Sequence, residues 1–324
     1  MSDVCVSTRI RFARNISGFE FPNKLEQKAK EKVLETVFEK IKPLNFRLIK
    51  KEDLSEKILG SLQEKNLVSR DFVANSYNGL ALSENQENCI MVNEEDHIRI
   101  QVIKKGYSLK ECFDEAVKID ETLSQTLNFS YNENFGYLTA CPTNLGTGMR
   151  ASVMLFLPAL TTTNNIPSLI EQINKLGFTV RGMNGEGSKM EGFLYQVSNS
   201  YTLGLSEEEI LNKVDAVVKK IEKLELEQRK NILEQNTDEL KDKLNRAYGI
   251  LTNAYMIDTA ECVKLLSEVK YGLDLGLINK EQFDLLLAIQ NVQKYNLIIN
   301  CGKDLHDLER DKQRAKVVKS LFIN

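Results

Sequence analysis

The chain has 324 residues, of which 43 are lysine or arginine and 46 aspartate or glutamate, giving a formal net charge of −3. Hydrophobic residues make up 42% and charged residues 27%, which excludes wholesale disorder, collagen-like repeats and rod-like coiled coils and leaves room for two domains. The near-balance of charge argues against a nucleic-acid coat, and the longest apolar run, VMLFLPAL at 153–160, falls far short of the roughly 20 residues of a membrane span. The first residues lack the apolar stretch of a secretion signal. Six cysteines (Cys5, Cys89, Cys112, Cys141, Cys262, Cys301) form no CxxC, and His97 and His306 are the only histidines. The expectation is a cytoplasmic free-thiol protein with no metal-ligating set, no membrane segment and no direct nucleic-acid partner.

In chain order, Ser7-Thr8-Arg9-Ile10-Arg11 reads as a strand, with Arg14 following. Residues 25–42 read as an amphipathic helix. Strand-like runs follow at 45–49, 79–83, 88–92 and 97–103, a helix at 108–128, and further strands at 135–140, 150–157, 178–182 and 193–198. Helices do not regularly separate these strands, so the fold class expected is α+β with a mostly antiparallel sheet flanked by helices. All five prolines lie in the first 167 residues. From Ser206 the pattern turns helical: Ile210, Val214, Val217, Val218, Ile221 and Leu224 recur at steps of mostly three or four, and Ser206 with Glu209 forms a capping box. Helices are expected near 237–253, 258–273, 280–294 and 304–321. The division expected is a catalytic-type domain over 1–230 and an all-helical domain over 231–324.

Four segments concentrate arginine, glycine and carboxylate. Arg9 and Arg11 alternate, so a strand presents both guanidinium groups on one face, where they suit a phosphate chain or serve as a solvated, protective edge. Asn93-Glu94-Glu95-Asp96-His97-Ile98-Arg99 gathers three acids at a strand end, either a surface turn or a grip for a cationic substrate with Arg99 beside it for an anion. Cys141-Pro142-Thr143-Asn144-Leu145-Gly146-Thr147-Gly148-Met149-Arg150 allows close backbone approach but lacks the lysine and spacing of a P-loop. Arg181-Gly182-Met183-Asn184-Gly185-Glu186-Gly187 is a glycine-rich loop with a carboxylate, a turn or a closing lid.

Together and in this order, the four segments resemble the ATP:guanidino phosphotransferase family. CPTNLGTGMRASVMLFLPAL, RGMNGEGS and YQVSNSYTLGLSEEEI are similar to its bacterial protein arginine kinase branch. Because STRIR lies almost at the first residue, the expectation is a chain that lacks the helical N-terminal domain of the small-molecule enzymes. The resemblance implies transfer of the ATP γ-phosphate to arginine side chains of proteins, with Mg2+ as a further cofactor. It implies Glu95 and Glu186 as the carboxylates that grip and deprotonate the guanidinium, with Cys141 in electrostatic support. It implies nucleotide contacts from Ser7, Thr8, Arg9, Ile10, Arg11, His97, Arg99, Arg150, Ala151, Ser152, Val153, Met154, Arg181, Gly182, Met183, Asn184, Gly185 and Glu186. Asn66 stands where the family usually has histidine, and Asn184 where it has a bulkier residue. Arg310-Asp311-Lys312-Gln313-Arg314-Ala315 resembles a motif that binds phosphoarginine away from the catalytic centre, through Arg310, Asp311, Arg314 and Ala315. On composition alone that segment is a surface charge cluster. The implied partners are unfolded proteins, a stress-gene repressor of the CtsR kind, an McsA-like activator, a downstream ClpC/ClpP protease that degrades the marked proteins, and a second copy in a homodimer. Rival readings are a kinase for free arginine and a non-catalytic adaptor for phosphoarginine proteins.

Overall fold

A computed structural model describes residues 4–182, 192–235 and 237–322. Strand β1 (Cys5–Arg14) and helix α1 (Gln27–Ile41) are followed by β2 (Arg47–Lys50), α2 (Glu56–Glu64), α3 (Arg70–Ala74), β3 (Gly79–Leu82), β4 (Asn88–Val92), β5 (Ile98–Lys105) and α4 (Leu109–Ser124). Then come a two-strand ribbon, β6 (Tyr131–Asn132) and β7 (Gly136–Tyr137), β8 (Met149–Phe156), α5 (Pro158–Thr162), α6 (Ile166–Lys175), β9 (Phe178–Arg181), β10 (Leu194–Asn199) and the long α7 (Glu207–Gln235). Helices α8 (Asp238–Asn253), α9 (Thr259–Asp274), α10 (Leu285–Asn291), α11 (Lys294–Cys301) and α12 (Asp307–Ser320) complete the chain. Among the described residues no helix is long and apolar enough to cross a membrane.

Eight strands form one sheet in the order β2-β3-β4-β5-β1-β8-β10-β9, and every ladder in it is antiparallel. The α+β expectation, with helices around an antiparallel sheet and a helical C-terminal region, is borne out. Period-two alternation gives the sheet two unlike faces. One carries Ile10, Phe12, Ile90, Ile100, Val102, Ala151 and Val153, all fully buried beneath apolar residues of α1, α4, α6 and α7. Each such isoleucine, valine or phenylalanine side chain contributes about 1.5–3 kcal/mol when removed from water. The opposite face is apolar only at its margins. Leu80, Leu82, Cys89 and Met91 pack with residues of α2 and α3 at one side. Met154, Phe156 and Leu194 pack with the C-terminal helices at the other. The polar strip between these margins is the floor of the site.

Some elements depart from expectation. Within 135–140 only Gly136–Tyr137 is a strand, and it pairs with β6 outside the main sheet. The helix expected at 280–294 begins only at Leu285, where the Asp284 side chain accepts from Leu287 N, and α11 starts separately at Lys294. Helices α2, α3, α5, α6 and α11 are not anticipated by the sequence reading. In α5 and α6 the cause is a proline in the first turn, which suits a helix start as well as a loop.

Candidate active site

The register of β1 decides where the arginines meet. Arg11 lies opposite Arg150 of β8 and Gln101 of β5, and Arg9 lies opposite Ser152 and Ile103. Arg99 shares the face of Gln101, and Arg181 of β9 lies opposite Gln196 of β10, itself opposite Met154. Partners across a ladder are about 4.5–5.5 Å apart, so Arg9, Arg11, Arg99, Arg150 and Arg181 crowd one face, where like charges repel. Arg99 is answered by Glu94 at 2.6 Å and Glu95 at 3.3 Å. Arg150 donates to Ser198 Oγ at 3.0 Å and Thr179 Oγ1 at 3.1 Å. The buried Nε atoms of Arg9 and Arg11 have no hydrogen-bond acceptor. Burial, then Arg150 and Arg99, pushes the Arg9 guanidinium down to about 10; burial, then Arg9 and Arg99, holds Arg11 well below its usual value. Desolvated cations in mutual repulsion fit a guest with several negative charges, such as a nucleotide triphosphate.

The three acids between β4 and β5 have separate tasks. Asn93, at φ 58°, sets the turn and donates to the carbonyls of Lys30 and Tyr77 at 2.8 and 3.0 Å. Glu94 is buried beside Arg99 and accepts from Ser69. Asp96 is also buried and accepts from Asn15 Nδ2 at 2.6 Å and Ala140 N at 2.7 Å. Glu95 retains 35% side-chain exposure. Burial raises its carboxyl above the usual range, Arg99 opposes that, and Asp96, Glu94 and Asp71 reinforce it. A carboxylate so poised accepts a proton more readily than an ordinary surface glutamate.

The bond from Ala140 N to Asp96 joins this loop to the one that carries Cys141. Cys141 is half-buried, with Sγ 3.1 Å from Thr143 Oγ1. Gly146 has φ +113°, and a Cβ there would stand 2.4 Å from Thr202 O. Gly148 has φ +63°, and a Cβ would stand 2.6 Å from Ala13 O. Both positions therefore require glycine.

The remaining expected site residues divide. Ser7, Ser152 and Met154 share the face of the arginines, though Met154 belongs to the apolar cluster with the C-terminal helices. Thr8, Ile10, Ala151 and Val153 turn to the opposite, helix-covered face and are fully buried. Thr8 Oγ1 donates to Gly106 O. His97 is fully buried: Nδ1 accepts from Ile16 N at 3.0 Å, and burial lowers its pKa to about 4. It is a neutral pin for the acid loop, closed to a guest. Arg14 turns away from the cleft to Asp120 at 2.9 Å. Gly182 ends the described stretch, and Met183, Asn184, Gly185 and Glu186 lie outside the described residues. In α12, Arg314 is 2% exposed, with Nε on Val292 O at 2.9 Å and Nη1 on Ile257 O at 2.8 Å and Asp311 at 2.6 Å. Arg310 pairs with Asp307 and donates to Leu305 O at 2.9 Å, and Ala315 is buried. As placed, Arg314 ties α12 to the preceding helices.

The sequence reading misses Gln101, Ser198 and Thr179, polar residues that complete the arginine face. The signal was available in IRIQVIKK, where Arg99 and Gln101 alternate with buried isoleucines as Arg9 and Arg11 do in STRIR. Asn66, at φ 58°, sits beside this face, its carbonyl accepting from Gln101 Nε2 at 3.0 Å.

Two family models match. That for the ATP:guanido phosphotransferase C-terminal catalytic domain covers residues 27–228, and that for the protein-arginine kinase McsB C-terminal domain covers 237–324. A protein-arginine kinase of Halothermothrix orenii is 39% identical over 328 residues, 98% of this chain and 93% of that one. One of Clostridium tetani is 39% identical over 333 residues, 100% and 96% of the two chains. Two solved structures share the fold. The duplicated taurocyamine kinase of Schistosoma mansoni with bound transition state analog components gives a TM-score of 0.65 at 24% identity, over 81% of this chain and 39% of that one. A lombricine kinase gives 0.62 at 24% identity, over 73% and 69%. With an arginine-lined antiparallel sheet, a raised glutamate at its edge and both halves of the sequence matched, the chain belongs to the ATP:guanido phosphotransferase family, in its protein-arginine kinase branch.

Proposed function

We propose that this protein transfers the γ-phosphate of ATP to arginine side chains of proteins. The observation that carries the reading is the juxtaposition of Arg9 and Arg11, half-buried cations whose buried Nε atoms have no acceptor, with Glu95 across Arg99. Phosphoryl transfer is largely positioning and charge neutralisation, which the arginine face supplies. Mg2+, when bound with the nucleotide, would offset phosphate charge. The acceptor guanidinium is protonated at neutral pH and a poor nucleophile. Glu95 aligns it and takes its proton as the N–P bond forms and the bond to the ADP oxygen breaks. Glu186 is the second carboxylate by resemblance, and Cys141, on the loop clasped to Asp96, adds a thiol beside the guanidinium.

The catalytic part is residues 1–230. The helical part, 231–324, contributes a phosphoarginine site around Arg310, Asp311, Arg314 and Ala315, which requires α12 to release Arg314 from its present carbonyl partners. The same reading includes a cytoplasmic homodimer, an McsA-like activator, and protein substrates, among them a CtsR-type repressor, passed to a ClpC/ClpP protease in the stress response.

The test is incubation with Mg-ATP and either an unfolded protein or free arginine, followed by assay for acid-labile phosphate. Transfer to the protein is expected. Glu95→Ala should lower it by about 10²–10⁴-fold, the usual contribution of a positioned base, with the unfolding temperature nearly unchanged. Transfer confined to free arginine would replace this reading with a small-molecule kinase. No transfer, with phosphoarginine peptides still bound, would replace it with an adaptor.

A further inference from the structure

The phosphoryl-transfer chemistry leaves unused a cavity of about 1140 Å³ between α4, the β6–β7 ribbon and the first turns of α7. That volume exceeds the roughly 300–1,000 Å³ of ordinary small-molecule sites. Its walls are Tyr107, Phe113, Tyr131, Phe135, Tyr137 and Leu203. Tyr131, Phe135 and Leu203 are 60%, 51% and 48% exposed, an open apolar surface. The walls are preformed. Tyr131 and Tyr137 meet edge to face at 5.2 Å, and the Arg14 guanidinium stands 3.6 Å from the centre of the Tyr137 ring.

The charge of the cavity lining is predominantly negative. Glu111, Glu207, Glu208 and Asp215 line it against Lys110, four acids to one base. Lys110 is itself paired with Asp114 at 2.6 Å. Glu207 is 3.8 Å from Arg14, and Asp215 accepts from Tyr107 and Lys219. Glu111 and Glu208 remain exposed. Carboxylates beside open aromatic rings attract lysine and arginine side chains by charge and by cation–π contact. They repel nucleotides and other phosphate groups.

The cavity also touches the catalytic loop from behind. Gly146 and Thr147 line it and end the CPTNLGT stretch. Gly146 bridges to Tyr137, and the Thr147 carbonyl accepts from Arg14 Nη1 at 2.9 Å. A guest therefore rests on the segment that carries Cys141 and, through Ala140, holds Asp96.

We propose that this cavity docks a positively charged, leucine- and aromatic-bearing stretch of the substrate polypeptide, apart from the arginine that is modified. The inference rests on the reading that the acceptor is a protein and names the class of polypeptide preferred: stretches in which basic residues alternate with leucine and aromatic ones. Such a dock explains how an enzyme built around a guanidinium site selects a chain and not a free amino acid.

The probe is a fluorescein-labelled peptide of lysine, leucine and phenylalanine with no arginine, so that the acceptor site does not take it, beside the same peptide with glutamate for lysine. Fluorescence anisotropy with the full chain should show the lysine peptide binding at least tenfold more tightly. A Phe135→Ser, Glu208→Lys double variant changes exposed side chains and leaves the nucleotide face untouched. It should weaken that binding about tenfold, raise KM for an unfolded protein about tenfold and leave KM for ATP unchanged. Equal binding of the two peptides, or undiminished binding by the variant, overturns the proposal. So does a variant whose defect is loss of a dimer in sedimentation, since the cavity is then a contact between copies. Peptide binding abolished by the variant, with no protein phosphorylated, supports the dock and sinks the acceptor reading instead.

Discussion

Arg9 and Arg11 stand two residues apart on β1, and neither Nε has an acceptor. A guanidinium whose folded pKa is depressed destabilises the fold wherever it is charged in both states. For Arg9 that cost is complete below about pH 10 and fades only as pH rises from there towards the ordinary guanidinium range. At neutral pH these charged arginines therefore carry a cost of burial and mutual repulsion that a polyanion relieves. Arg11→Met should raise the unfolding temperature of the free protein and weaken ATP binding about 10–100-fold, since hydrogen bonds to charged groups are worth about 1.5–3 kcal/mol. It should also shrink the rise in unfolding temperature that a non-hydrolysable nucleotide produces. Thermal unfolding and calorimetric titration read both effects, and a variant that loses stability while binding nucleotide normally would refute the account. The alternation of these arginines was visible in STRIR, because period two is a property of the strand itself. That Glu94 neutralises Arg99, that Asp96 clasps Ala140 and that His97 is sealed was not visible. Those roles depend on which loop lies against which, and three acids in a row read alike until the register is known.

At the scale of elements, the seam between α2 and α11 joins the edge of the nucleotide face to the helical part. The Glu64 carboxylate accepts from Tyr295 N and Asn296 N, both at 2.9 Å, in the first turn of α11, where a negative charge is favoured. Ser61 Oγ meets Asn296 Oδ1 at 2.5 Å, and a Cβ on Gly60 would stand 2.2 Å from the Tyr295 ring. Two residues past Glu64, the Asn66 carbonyl holds Gln101 on the arginine face. Glu64→Ala strips two helix N–H groups of their acceptor. It should cost about 1–3 kcal/mol in urea unfolding and raise KM for ATP more than it lowers kcat. Equal KM with lowered kcat would show that the seam acts elsewhere. Helices with an unbroken three-four rhythm, such as α1, α4, α7 and α9, were legible in the sequence because each buries one stripe. This seam was not, since its partners lie 231 positions apart and Gly60 reads as a helix breaker until the ring it admits is seen.

At the scale of the molecule, α7 spans both cores. Ile210, Val214, Val218 and Ile221 enter the core beneath the sheet. One turn further, Glu225 accepts from Ala159 N and Leu160 N at 3.0 Å, capping α5, while Arg229 binds Glu225 at 2.8 Å and approaches Asp274 of α9 at 3.7 Å. Phe156 and Leu194 of the sheet lie in the second core, with apolar residues of α8, α9 and α10. A boundary at residue 230 thus falls inside a continuous helix, and the sheet surrenders part of its apolar cover if the chain ends there. Composition showed where helices take over from strands, but the sharing of Phe156 and Leu194 required three dimensions. The two halves should therefore unfold as one unit, with coincident urea transitions by circular dichroism and by hydrogen exchange in α9 and β8. Arg229→Ala leaves the fully buried Glu225 without its cation, a defect that typically costs about 3–5 kcal/mol. It should move the whole transition to lower urea and keep it single. If the helical part instead melts first while the β8 amides stay protected, α7 is a tether between independent domains. Control of the kinase by its helical part would then have to run through the α2–α11 seam alone.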